Sequence, residues 1–170
     1  MARLSLSPAY LKESIKVLFK RGLKESVLGK KVTLADHDKQ LLAGIHNNLK
    51  DFKSRGGRSG EFGRVDLVHK GSGSVYLMSH GQDEGKNQSI LLFNEAVVIT
   101  PGPDLWVYLS SEVDVKGNGL GDILDLGLVQ GTKGGQAYII DQPIAELAKY
   151  HAVVIWCKQF EVLFSVAPIS

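Results

Sequence analysis

The sequence predicts a mainly β protein, an antiparallel β-sandwich or barrel-like module preceded by two N-terminal amphipathic α-helices. From residue 62 onward, short β-branched and aromatic runs are separated by glycine- and proline-rich turns, which is typical of such modules. Before residue 59, apolar residues instead recur at helical spacing among lysines and arginines. Residues 1–58 hold 13 basic and 5 acidic residues, a net charge of +8, whereas residues 59–170 hold 7 and 13, a net charge of −6. We therefore expect a basic helical segment at 1–58 and a β domain at 59–170.

The basic segment contains two helix patterns. The first starts at Ser7-Pro8, and the second starts at Thr33, where Asp36 completes an acidic variant of the capping box. Their apolar faces hold Leu11, Ile15 and Leu18 in the first helix and Leu41, Ile45, Leu49 and Phe52 in the second. Such helices can pack on the β domain, or residues 8–55 can lie on an anionic membrane surface. No nucleic-acid partner is expected, because no nucleic-acid fold or aromatic stacking patch accompanies the charge.

The β domain is predicted from apolar runs that are each bounded by a turn. The predicted strands are 65–68, 74–78, 90–93, 96–99, 105–109, 123–129, 137–140, 152–157 and 161–166. One helix is predicted at 143–150, where Ile144, Leu147 and Ala148 share a face. Residues 114–122 mix oxygen side chains with glycines but lack the spacing of an EF-hand, so they predict a plain turn instead of a calcium loop.

Cys157 is the only cysteine in the chain, so it cannot form an internal disulfide. It ends the apolar run VVIWC, and strand alternation places its side chain with Ile155 and opposite Trp156. The residue is either an inert core thiol or the one group with redox or soft-metal chemistry. A thiol at a strand end can reach solvent, and the following Lys158 offers an ammonium group, although alternation turns Lys158 to the other face.

A second aromatic strand follows a rigid corner. Two prolines and a glycine at residues 100–104 predict this corner, in which Asp104 caps local backbone N–H groups. In the strand 105–109, Trp106 and Tyr108 share one face and Val107 and Leu109 share the other, and we expect one of these two faces in the core. The aromatic pair predicts either packing or the lining of a pocket.

Several separated motifs carry a resemblance to a known family. They are TPGPDLWVYLS at 100–110, LDLG at 124–127, GQAYI at 135–139 and the segment 150–164 with the Trp156-Cys157 pair. In this order and at these distances they resemble the DM-thirteen domain, a small β-rich module described as an electron-transfer domain. The resemblance covers about residues 60–167 and does not extend to residues 1–58.

The resemblance implies an accessory electron-transfer or redox role centred on the family's cysteine, which matches Cys157. That cysteine would be a redox thiol or the attachment point of a prosthetic group, with Trp156 as its packing neighbour. His69 and His151 lie at predicted strand ends and are the candidate second ligands. The prosthetic group that the resemblance implies is a haem. The residues are equally compatible with a domain that holds no prosthetic group. A single redox thiol also needs a partner, either a redox protein or a small thiol, to reset it.

The residues leave a second class of function open. The chain shows no nucleophile elbow, phosphate-binding glycine motif or metal-ligand spacing, so a stand-alone enzyme is not expected. The alternative is a non-catalytic binding module with a structural Cys157, whose loops at 101–104 and 110–121 contact a protein or a glycan. The resemblance implies an extracytoplasmic or membrane-associated location; the start of the chain shows no signal peptide, so the cytoplasm is also compatible.

Overall fold

A computed structural model describes residues 29–81 and 87–170, so the first predicted helix lies outside the described residues. The strands are β1 (Lys31–Val32), β2 (Arg58–Glu61), β3 (Gly71–Ser72), β4 (Ser74–His80), β5 (Gln88–Phe93), β6 (Val98–Ile99), β7 (Leu105–Ser110), β8 (Ile123–Leu128), β9 (Lys133–Gly134), β10 (Gln136–Ile140), β11 (Ala152–Cys157) and β12 (Val162–Pro168). The helices are α1 (Asp36–Asn47), α2 (Leu49–Ser54), α3 (Val115–Asn118) and a 3₁₀-helix (Ile144–Lys149). None of the helices in these two ranges is long and apolar enough to cross a bilayer.

The strands form three four-stranded sheets. The helix-covered sheet has the order β10-β5-β4-β2, and the cysteine sheet has the order β12-β11-β7-β8. Every pairing in these two sheets is antiparallel. The small sheet has the order β1-β9-β6-β3 and contains one parallel pair, β1 with β9. The predicted mainly β, sandwich-like fold is confirmed, and the sheets do not close into a barrel.

The central core lies between the helix-covered sheet and the cysteine sheet. Its strand members include Val75, Leu77, Leu91, Phe93, Val107, Leu109, Tyr138, Ile140, Val153, Ile155, Cys157 and Phe164. The other face of the cysteine sheet buries Tyr108 and Val154 beside α3, with Trp106 and Trp156 packed at the edge of that cluster. The alternation predicted for β7 and β11 is therefore confirmed. Each fully buried aliphatic or Phe side chain contributes about 1.5–3 kcal/mol, so this core dominates the stability.

Helices α1 and α2 cover the outer face of the helix-covered sheet. Leu42, Ile45 and Phe52 pack there on Ile90 and Leu92 of β5. The predicted capping box is wrong, because the residue before α1 is an extended Ala35 that provides no side-chain cap. The expectation that Leu49 shares the packing face is also wrong, since its side chain is 52% exposed. The reason is a break at Asn48, whose non-helical backbone (φ −145°, ψ 69°) separates the two helices and changes their phase.

A short segment before α1 is built into the small sheet. β1 pairs with β9, and the Glu95 carboxylate accepts hydrogen bonds from the backbone N–H of Leu34 and that of Gly135, both at 3.1 Å. The approach of the two chains is close, because a Cβ at Gly134 would lie 1.9 Å from the Val32 carbonyl oxygen. Gly134 also has a φ of +96°, which favours glycine. The segment is thus docked on the β domain through backbone contacts that require glycine.

Residues 65–68 do not form the predicted strand. The backbone N–H groups of Val65 and Asp66 both donate to the His69 carbonyl oxygen, which closes a turn. One Asp66 carboxylate oxygen also accepts from the N–H groups of Val68 and His69. A short acidic side chain that hydrogen-bonds the following backbone competes with a strand ladder, and here it prevails.

The predicted helix at 143–150 is a 3₁₀-helix from Ile144 to Lys149. Leu147 and Tyr150 are buried, and Ala148, expected on the same face, is exposed. A repeat of three residues per turn aligns positions 144, 147 and 150, which explains the difference from the α-helical prediction. Arg58 ends this helix by donating to the carbonyl oxygens of Leu147, at 2.7 Å, and Tyr150.

Candidate functional site

Cys157 is the last residue of β11, where it lies between Leu105 of β7 and Val162 of β12. Its side chain faces the central core and is 0% exposed. The expectation that a thiol at this strand end reaches solvent is therefore wrong. The chain reverses tightly at residues 158–161 directly after Cys157, and the N–H groups of Gln159 and Phe160 in this turn interact with the sulfur.

The groups around the Cys157 thiol shift its pKa in opposite directions. Burial raises the pKa of the Cys157 thiol, and the nearby Asp104 carboxylate adds to the rise. The backbone N–H groups of Phe160, Gln159 and Asp104 interact with the sulfur and favour the thiolate, but burial is the larger effect. At neutral pH the group is accordingly a protonated, shielded thiol, which is a poor nucleophile.

Lys158 leaves the strand on the face opposite Cys157, as alternation predicted. Its ammonium Nζ lies 3.2 Å from the centroid of the Trp106 ring and 2.8 Å from Oδ2 of Asp125 on β8. Burial is the largest single effect and lowers the pKa of Lys158, but the hydrogen bonds and charges of Asp125 and Tyr108 together outweigh it and leave the pKa raised. Lys158 is therefore a fixed cation on the outer face, and it does not contribute to activating the thiol.

Asp104 connects the two faces of the cysteine sheet. Its side chain is 1% exposed, and one carboxylate oxygen accepts from the Trp106 indole N–H at 2.9 Å. Its backbone carbonyl accepts from the N–H of Lys158 at 3.1 Å.

Trp106 and Trp156 lie directly opposite each other on β7 and β11, so their side chains are neighbours on the outer face. The predicted neighbour Trp156 thus borders the outer aromatic face and points away from the sulfur.

His69 closes the turn that begins at Val65, and its side chain pairs with Asp66, which the sequence pattern did not single out. Its Nδ1 is 2.8 Å from Oδ2 of Asp66, and its ring packs against Phe164 with 4.5 Å between the ring centroids. Burial raises the pKa of Asp66, but the hydrogen bonds from the His69 side chain and from the backbone lower it to about 2. Asp66 is then a carboxylate, which only accepts hydrogen bonds, so Nδ1 of His69 carries the proton. A strand prediction over 65–68 hid this pair, although the Asp-x-x-His spacing is visible in the sequence.

Asp66→Asn is expected to lower the free energy of unfolding at pH 7 by about 1 kcal/mol, because a charge-assisted hydrogen bond to His69 is lost. A pKa lowered to about 2 stabilises the fold above about pH 4, and this contribution is lost as the pH falls towards 2. Urea unfolding at pH 7, 4 and 2 measures the difference, which should shrink with acid. Asp36→Asn is the control, since that side chain is 96% exposed. An equal effect of both substitutions at every pH would contradict the pairing.

His151 is separated from Cys157 by the whole of β11. It precedes Ala152, its side chain is exposed, and its backbone N–H donates to the Ser110 carbonyl at 2.7 Å. Six residues of extended strand span about 20 Å, too far for two ligands of one metal ion. The structure therefore does not bring His151 and Cys157 together.

The residues around Cys157 do not fit a haem. A haem needs a ligand with an open coordination direction beside a flat apolar slot, whereas the Cys157 side chain is 0% exposed within a packed core. His69 holds its Nδ1 proton on Asp66 and its ring against Phe164. Within residues 29–81 and 87–170, no three His, Cys, Asp or Glu residues are grouped to hold a metal ion.

The fold and the site define a class, a β module built of two antiparallel sheets and a small third sheet, with a single thiol buried at the end of a central strand. A family model described as electron transfer DM13 matches residues 61–169, well over half of the chain. The chain therefore belongs to the electron transfer DM13 family, which confirms the resemblance seen in the sequence. No curated protein and no solved structure matches the chain.

Proposed function

We propose that residues 61–169 act as an electron-transfer module in which Cys157 is the redox-active thiol. Membership of a family described as electron transfer supports the role. Cys157 is the only cysteine of the chain, so thiol chemistry has no other residue to use. The observation that carries the proposal is the family match together with this single thiol. The backbone N–H groups of Phe160, Gln159 and Asp104 favour the thiolate, although burial has the larger effect and leaves the pKa of Cys157 raised.

The chemistry that suits one thiol is exchange with an external disulfide. The Cys157 thiolate attacks one sulfur of a disulfide RSSR, which forms a protein mixed disulfide and releases RS⁻. A second thiolate R′S⁻ then attacks the mixed disulfide, which restores the Cys157 thiolate and forms RSSR′. Atoms and charge balance in both steps, and the thiol partner is oxidised while the first disulfide is reduced. The partner is a small thiol–disulfide couple or the disulfide of a redox protein.

The exchange is tested by incubating the folded protein with glutathione disulfide at pH 8 and weighing the intact protein by mass spectrometry. We expect one glutathione adduct, which dithiothreitol removes and which Cys157→Ser abolishes. The adduct should form at urea concentrations well below the unfolding transition. If it forms only when the protein is unfolded, Cys157 has no redox role in the native protein and the proposal is overturned.

A second candidate is a non-catalytic binding module with a structural cysteine, and the complete burial of Cys157 favours it. Of the two loops expected to contact a partner, residues 102–104 are buried and offer little surface, whereas most of residues 111–121 are exposed. A protein or glycan ligand would thus meet the 111–121 loop. Failure of the glutathione experiment would favour this function.

The proposed membrane contact through residues 8–55 has a structural constraint. The apolar faces of α1 and α2 are occupied by the helix-covered sheet, with Ile45 and Phe52 buried there. These two helices would have to leave the sheet to insert into a bilayer, and the remainder of the segment, residues 8–28, lies outside the described residues. Membrane contact and an extracytoplasmic location stay predictions, and sedimentation with anionic vesicles at low salt tests the first.

A further inference from the structure

We propose that the turn at residues 158–161 is a lid over Cys157 and that the contacts of Lys158 with Asp125 and Trp106 are the latch that keeps this lid closed. The inference deepens the proposed function, on which it rests, because a buried thiol reacts with an external disulfide only after something uncovers it. It names the segment that moves and the residues that control the movement.

The lid lies directly on the sulfur. It joins β11 to β12 immediately after Cys157, and the N–H groups of Gln159 and Phe160 interact with the sulfur. Lys158 and Glu161, at the two ends of the lid, are exposed, whereas the Cys157 side chain is 0% exposed. In the open form that the proposal requires, these four residues move, while the hydrogen-bonded ladders of β11 with β7 and β12 stay intact.

The latch connects the lid to β7 and β8, whereas the lid itself joins β11 to β12. Nζ of Lys158 is 2.8 Å from Oδ2 of Asp125 on β8 and 3.2 Å from the centroid of the Trp106 ring on β7. The Trp106 indole face and the Asp125 carboxylate both attract the Lys158 ammonium, so the two contacts reinforce each other. The side chains of Lys158 and Asp125 are 37% and 40% exposed, so water and salt can compete for them.

The lid itself is conformationally unfavourable in its closed form. Glu161 has a φ of +52°, the only positive φ of a non-glycine residue within the described ranges. The buried Oε1 of Gln159 has no hydrogen-bond partner among the described residues. A left-handed residue and an unsatisfied buried oxygen both favour opening, so closure depends on contacts such as the latch.

The test is the rate at which iodoacetamide alkylates Cys157 in the folded, full-length protein at pH 8. Asp125→Asn should accelerate alkylation about two- to fivefold, since an exposed ion pair is lost. Lys158→Met, which also loses the contact with the Trp106 ring, should accelerate it about tenfold. Asp51→Asn is the matched control, because it breaks another ion pair, with Arg55 at 3.0 Å, on α2. Raising the salt concentration should accelerate the reaction of the native sequence and leave that of Lys158→Met unchanged.

Unchanged alkylation rates in both latch variants would overturn the inference. So would an acceleration that equals the loss of global stability measured by urea unfolding, because Cys157 would then be reached by unfolding of the whole domain. Alkylation reports access and involves no redox partner. A fast-alkylating latch variant that still forms no glutathione adduct would therefore refute the redox function and leave the lid in place.

Discussion

Gly134→Ala is expected to destabilise the protein by about 3 kcal/mol or more and to release β1 from the small sheet. The new Cβ would lie 1.9 Å from the Val32 carbonyl oxygen, and the backbone at Gly134 has a φ of +96°. Neither problem can be relieved by a side-chain rotation, because the obstacle is backbone. Urea unfolding measures the loss, and hydrogen exchange at the Leu34 amide reports the release.

Gly127→Ala separates the two causes. Gly127 has a φ of +97°, close to that of Gly134, but a Cβ there would meet nothing within 4 Å. Its substitution should therefore cost only the conformational part, about 1 kcal/mol. If Gly134→Ala costs no more than Gly127→Ala, the close contact between β1 and β9 is not present in the protein.

Phe164→Ala is expected to cost about 3–5 kcal/mol, the usual range for removing a buried Phe ring. The ring is 1% exposed, packs against His69 and leaves no room for a Cβ at Gly102, whose nearest ring atoms would be 2.7 Å away. Phe164→Leu fills part of the volume, so it should cost less than half as much. Urea unfolding of the three proteins measures both values.

Phe164→Ala should also change the environment of the His69 ring. Losing the ring contact removes one wall of the buried imidazole, so the His69 resonances in an NMR spectrum should shift more in Phe164→Ala than those of exposed His151. A loss of stability below about 1 kcal/mol would mean that the core closes over the vacated volume, contrary to its dense packing.

Sequence pattern was sufficient where the two-residue repeat of a strand determines which face of the sheet a side chain occupies. The alternation of β11 placed Cys157 on the same face as Ile155 and opposite Trp156, and this placement is confirmed. The same pattern placed Lys158 on the outer face, where it lies over Trp106. Burial on one face of a strand depends on the local sequence, which explains why these predictions succeeded.

Sequence pattern failed where a contact distant in the chain decides the conformation. The exposure of Cys157 depends on the turn at residues 158–161, in which Lys158 bonds to Asp104 and Asp125. These two residues precede Lys158 by 54 and 33 positions but are adjacent to it in space. β1 and β9 have two residues each, so only their pairing identifies them as strands. Asp66 turned a strand-like run into a turn through its own side chain, a competition that composition alone does not resolve.

The Glu95 carboxylate uses one oxygen for the N–H of Leu34 and the other for that of Gly135, so it joins residues on either side of the family's boundary at 61. The α1–α2 pair then covers Ile90 and Leu92, which belong to the matched region. The packed structure is for this reason larger than the portion by which the family is recognised. A gene fusion that carried the recognised portion alone would have to bring another cover for that apolar face.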